Sequence, residues 1–238
     1  MGMNRGEMSD EVASIVGRSG DTAFETRIDT YIYWTMMRIA RRHDFKEARK
    51  IKTDLATTAD VKTYELGGAL ASDWSITNVK TIHDMRLIDG ANSRILVPKF
   101  YETVDANLPR PEQWSTGRPK HYVRWGNYIE LIEHIPNDAY TIYIRYTVWP
   151  TEPSGDSSDL FYSNLDDVIS CGTAAIAFNN IQQFDNALDK GIEAEGNFQL
   201  AVYADGYDPD MTFKGEGFDT KDAVTGQYWA KPFIMRSP

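Results

Sequence analysis

The sequence predicts an α+β fold: a helical bundle formed by the N- and C-terminal segments, an inserted antiparallel β domain, and an extended C-terminal arm. Three observations predict it. Apolar residues recur with helical period between residues 28 and 40, alternate with period two through much of residues 60–150, and return to helical rhythm after about residue 160. Each terminal helical segment carries an apolar stripe that has to be buried, most simply against the other. The expected divisions are a disordered 1–10, a bundle from 11–59 and 160–204, a β insertion over 60–150, and an arm over 205–238.

Taken in order, the polar, Gly/Met-rich start gives way to a short helix over Glu11–Val16, which Gly17 ends. Asp21 or Thr22 can cap the next helix by accepting a hydrogen bond from a first-turn N–H. Its stripe is Ile28, Tyr31, Ile32, Thr35, Met36, Ile39 and Ala40, with Trp34 and Met37 off it, suggesting contacts on a second side. Arg38, Arg41, Arg42 and His43 close it with charges that suit a helix C-terminus.

Strands are predicted at Val61–Leu66, Val79–Ile88 and Arg94–Phe100, with turns at Gly67-Gly68 and Asp89-Gly90. His121–Trp125 and Tyr128–Ile132, separated by Gly126-Asn127, form a tight hairpin. Tyr140–Trp149 carries apolar or aromatic groups on both faces, which implies burial on both sides or one face used as an interface. After a Pro/Ser linker, Ser163 and Asp166 suggest a capping box ahead of a helix running to about Ala187. Its face Leu165, Val168, Ile169, Gly172, Ala175 and Ile176 includes small residues that permit close helix approach. Helical pattern continues to about Val202.

From Asp205 no periodicity holds, yet Phe213, Phe218, Tyr228, Trp229 and Phe233 concentrate there. Aromatic anchors in an irregular segment suit docking onto a partner. Folding back onto its own domain is the alternative.

The net charge of −10 makes sequence-specific nucleic-acid binding a poor starting hypothesis, because phosphate is repelled. The charge is uneven. Residues 38–52 hold seven basic residues against two acidic, whereas 152–222 hold fifteen acidic residues and three lysines. Arg38, Arg41, Arg42, Arg49 and Lys50 are therefore the candidate basic docking face. Two solvated faces explain the counts equally well.

The lone Cys171 excludes an intramolecular disulfide and a cysteine-based zinc site. No apolar run approaches the ~20 residues of a membrane span, the N-terminus lacks a signal-peptide core, and a cytoplasmic protein is expected. There is no phosphate-binding glycine loop, dinucleotide fingerprint or nucleophile elbow. The four histidines lack metal-ligand spacing, and neighbours His83 and Asp84 point to opposite faces of a strand. No catalytic, cofactor or metal residue is assigned, and a non-enzyme is expected.

The order of pieces resembles the head-to-tail adaptor, or connector, proteins of tailed bacteriophages. The resemblance rests on Tyr33-Trp34-Thr35-Met36-Met37-Arg38-Ile39-Ala40-Arg41-Arg42-His43-Asp44-Phe45 and on Gly117-Arg118-Pro119-Lys120-His121-Tyr122 with Gly126-Asn127-Tyr128. It continues through Pro136-Asn137-Asp138-Ala139-Tyr140-Thr141, Tyr146, Trp149-Pro150 and Asn164-Leu165-Asp166-Asp167-Val168-Ile169. It implies a structural virion protein at the neck, a homo-oligomeric ring of twelve copies. The portal protein would lie on one side and a tail or nozzle protein on the other. DNA would pass non-specifically through an acidic channel, with no membrane and no cofactor involved. Another tail or baseplate component, or a DNA-binding packaging factor using residues 38–52, are the alternatives.

Overall fold

The computed structural model describes residues 2–68, 73–107 and 114–206. It is a mixed helix-and-sheet protein, and the chain divides into two compact units: residues 48–149, and the segments on either side of them.

In the flanking unit, helix α1 spans Arg5–Val16 and α2 spans Thr22–Arg42. After the β unit follow α4, Asp166–Asn180, and α5, Phe184–Gly206. α1, α2 and α4 pack on one another, and α5 packs on α4.

The expected disorder of residues 1–10 is not found among the described residues 2–10. Asn4 caps α1 in a reciprocal box: its Oδ1 accepts from Glu7 N at 2.9 Å, and its own N–H donates to Glu7 Oε2 at 3.0 Å. Met8, Val12 and Val16, four residues apart, then bury one face of the helix. Met3 N–H donates to Asp166 Oδ2 at 3.0 Å, and Arg5 pairs with Asp156 at 2.5 Å. Gly17 ends α1 at φ 72°, a conformation that favours glycine.

α2 follows the predicted stripe. All seven of its expected residues are buried, with Phe24 added, and Asp21 Oδ1 accepts from Phe24 N at 3.1 Å. Trp34 remains half exposed, its ring 5.6 Å from that of Tyr31. α4 is the centre of the unit, buried at every residue from Val168 to Phe178. A Cβ at Gly172 would come within 2.9 Å of Thr35 Cγ2, so α4 approaches α2 as closely as a missing side chain permits. Thr35 is held there, donating to Tyr31 O at 2.9 Å and accepting from Thr173 Oγ1 at 3.2 Å.

Two details of α4 differ from expectation. Ser163 does not cap it; its hydroxyl donates to Glu47 Oε1 at 3.0 Å, and Leu165 occupies the cap position without a side-chain bond. The helix also stops at Asn180 rather than continuing to Ala187. Gln182 takes φ 63°, and the Gln183 N–H turns back to Phe178 O at 3.0 Å, which starts α5 in a new direction.

In the unit of residues 48–149, the strands are β1 Arg49–Ala56, β2 Thr63–Glu65, β3 Val79–Asp89, β4 Asn92–Ile95 and β5 Val97–Pro98. Helix α3, Tyr101–Asn107, precedes β6 Ser115–Gly117, β7 His121–Trp125, β8 Tyr128–Ile132, β9 His134–Pro136 and β10 Thr141–Val148. They form sheets ordered β1-β10-β3-β4 and β2-β8-β7-β5, with a two-stranded β6-β9. Most pairs are antiparallel, but β5/β7 and β6/β9 are parallel.

Residues 49–59, expected with the bundle, belong to this unit. β1 lies at the edge of the first sheet against β10, and Leu55 faces the core. The predicted strand 94–100 breaks, because Leu96 turns inward between β4 and β5 and α3 follows at once. The hairpin of β7 and β8 is as read, turning at Gly126 with φ 59°.

The core lies between the two larger sheets. Ile142, Ile144 and Tyr146 of β10 and Met85 and Leu87 of β3 meet Tyr64, Tyr122, Ile129 and Leu131. Trp74 stacks on Tyr64 at 4.8 Å, and its indole N–H donates to Ala56 O at 3.1 Å. Tyr64 hydroxyl closes a turn, accepting from Thr58 N and donating to Val61 O at 2.7 Å; burial pushes it up to about 12. β10 is therefore buried on its Ile142–Tyr146 face, while Thr141 and Arg145 opposite are exposed.

Candidate assembly surfaces

α5 has two apolar sides. Gly191, Ala194 and Phe198 are buried, and Phe198 meets Phe45 edge-on at 6.0 Å. Phe45 also contacts the rings of His43 at 4.6 Å and Tyr162 at 5.8 Å, so it wedges the end of α2 against α5. Phe184, at the first residue of the helix, and Leu188, Ile192, Leu200 and Tyr203, turned away from the buried side, are all more than half exposed. The first three are four residues apart, Gly196 continues the spacing, and the row runs about 28 Å at 1.5 Å per residue. Asp185, Asp189 and Glu193 are also exposed on this helix.

The β unit carries a second exposed apolar group. Tyr101 at the start of α3 packs against Trp125 at the end of β7, ring centroids 4.9 Å apart. Tyr128 is Trp125's partner across the hairpin, and Phe100 adjoins Tyr101. Phe100 is 80% exposed and Trp125 64%. Beneath them α3 seats Val104 against Val123 and Ile132, which fixes the patch to the sheet. Single exposed apolar residues are ordinary on soluble proteins, but contiguous groups of large ones mark interaction sites.

The candidate basic residues do not form one element. Arg38, Arg41 and Arg42 lie on the last turns of α2, Arg49 and Lys50 on β1. Arg42 is committed to its own unit: Nη1 and Nη2 donate to the two carboxylate oxygens of Glu195 at 2.7 and 2.8 Å. Its guanidinium also sits 4.1 Å from the Phe198 ring centroid. The bidentate bond from Arg42 holds Glu195 below the usual glutamate range. Arg38 is half-buried, and burial, with Arg41 nearby, lowers it. Arg41, Arg49 and Lys50 are exposed. The other candidates, Phe213, Phe218, Tyr228, Trp229 and Phe233, lie outside the described residues.

His83 and Asp84 have separate partners. His83 Nε2 meets Thr147 Oγ1 at 2.5 Å, and Asp84 pairs with Arg86 at 3.1 Å. Among the described residues no group of three or more His, Cys, Asp or Glu could hold a metal ion, and no helix is long and apolar enough to cross a membrane. Cys171 lies buried in α4, its thiol pushed up to about 11 by burial.

A family model described as SU10 adaptor protein matches residues 3–208, which takes in both units. The chain belongs to the SU10 adaptor family, the head-to-tail adaptors of tailed phages. No curated protein matches it. Several residues behind the adaptor resemblance prove to be scaffold. Phe45 is the wedge just described, and Tyr140 donates to Asn137 Oδ1 at 2.6 Å while its N–H is taken by Thr57 Oγ1 at 2.8 Å. Asp166 receives the Met3 N–H. The exposed row of α5 and the aromatic patch were not singled out from sequence, although the spacing 184, 188, 192 was there to be seen.

Proposed function

We propose that this adaptor is a structural subunit of the phage neck, one copy in a ring that joins the portal protein to a tail or nozzle protein. The match of residues 3–208 to the adaptor family carries this reading. Two folded units that each expose a contiguous apolar group support it, since such groups suit a part that is covered on assembly. In this reading the helices of the flanking unit form a bundle into which the β unit is inserted. Twelve copies close the ring, and genome DNA passes through without specific binding. The segment from Asp205 onward serves as a docking arm through Phe213, Phe218, Tyr228, Trp229 and Phe233. Arg41 at the end of α2, and separately Arg49 and Lys50 on β1, offer basic docking points to protein.

Electron microscopy of purified particles, with the chain located by a small fused tag, tests this. Density for the tag in a ring between portal and tail is the expected result. Density in the baseplate or along the tail tube would overturn it. Salt-sensitive, tight binding to duplex DNA at physiological ionic strength would favour a packaging factor instead.

A further inference from the structure

Building on the ring reading, we infer that the exposed apolar row of α5 in one copy seats on the aromatic patch around Trp125 in the next copy. A closed ring of more than two subunits needs a head-to-tail contact between two different surfaces of the same chain. The described residues supply two such surfaces, the row from Phe184 to Tyr203 and the cluster of Phe100, Tyr101, Trp125 and Tyr128.

Charge selects this pairing over row against row. The described part of the flanking unit, residues 2–47 and 150–206, holds 8 basic and 18 acidic residues, a net of −10. Residues 48–149 hold 13 basic and 12 acidic, a net of +1. Two α5 rows face to face would bring Asp185 and Asp189 against their own copies, whereas Glu193 is already paired with Lys190 at 2.6 Å. Like charges brought together at an interface are costly and reject that partner. The near-neutral β unit imposes no such penalty. Its patch is bordered by exposed Lys99, with Glu102 as the nearby acid. The chemistry also matches: long aliphatic side chains at four-residue spacing, with an aromatic at each end, fit against a fixed group of rings that becomes fully desolvated.

The experiment replaces Phe184 with the photo-crosslinker p-benzoylphenylalanine, one aromatic ring for a larger one at an exposed position. Particles are assembled from equal amounts of this chain and isotope-labelled chain without the crosslinker, irradiated and digested. The expected product joins the α5 peptide to a labelled peptide within residues 97–128, and Trp125→Ala in the labelled chain cuts its yield at least tenfold. Cross-links to labelled α5, to the portal or to a tail protein would overturn the inference while leaving the adaptor reading intact. Particles that contain the chain but give no cross-link would overturn it too. A labelled, unsubstituted chain that never enters particles overturns the adaptor reading, and this inference with it.

Discussion

Helices α2 and α5 are nearly equal in length, 21 and 23 residues, yet they treat their apolar residues in opposite ways. α2 buries eight residues along one wide stripe and leaves Trp34 as its exposed large apolar side chain. α5 buries three, two of them Gly191 and Ala194, and exposes five large ones. A stripe of Ile, Met and Tyr contributes folding free energy through burial within the chain. A helix that turns its small residues inward and its large ones outward contributes little to folding through those large ones. The difference teaches that α2 spends its large apolar residues on the fold, whereas α5 leaves most of its own uncovered within the chain.

Substitutions can break or sharpen that contrast. The largest effect is expected from Ile32→Ala on α2, a fully buried side chain, which should cost about 2–5 kcal/mol in urea unfolding of the pure protein. Gly172→Val comes next, at about 1–3 kcal/mol, because its side chain would drive into a Thr35 held by two hydrogen bonds. The same measurement on Gly196→Ala in α5, where a Cβ meets nothing within 4 Å, should show no loss and up to about 1 kcal/mol of gain from helix propensity.

A smaller and pH-dependent effect belongs to the clamp between α2 and α5. Glu195 is held below the usual glutamate range by Arg42, so its stabilisation is present above that range and is lost as pH falls through its folded value. Both side chains keep some solvent contact, 36% for Arg42 and 21% for Glu195, which limits the pair to about 1 kcal/mol. Glu195→Gln should cost that much at pH 7 and lose less stability than the parent on acidification to pH 3. Equal acid sensitivity in the two proteins would show that the clamp contributes nothing to the acid limb.

Much of the fold was legible because single elements carry their own periods. The α2 stripe and the hairpin around Gly126-Asn127 needed no tertiary information. α1 was underestimated because its start is polar: the Asn4–Glu7 capping box and the apolar Met8 lay within a stretch weighed by its glycines and charges. Ser163 matched a capping pattern but found a longer-range acceptor in Glu47, which no local rule supplies. The break at Gln182 interrupts a sequence that remains helical on both sides, so period alone could not place it. On α5, two apolar faces on one helix blur into a single weak pattern, which hid the row. Arg42 read as part of a basic surface, and its commitment to Glu195 depends on a residue 153 positions away.

The central claim, that α5's outer row serves assembly and not folding, is tested most directly by one variant carrying both Leu188→Gln and Ile192→Gln. Its stability in urea and its incorporation into particles would be measured side by side with the parent. The account predicts a stability within about 0.5 kcal/mol of the parent, as for exposed positions generally, together with loss of incorporation. A variant that unfolds at much lower urea, or one that is stable and enters particles as the parent does, would contradict it.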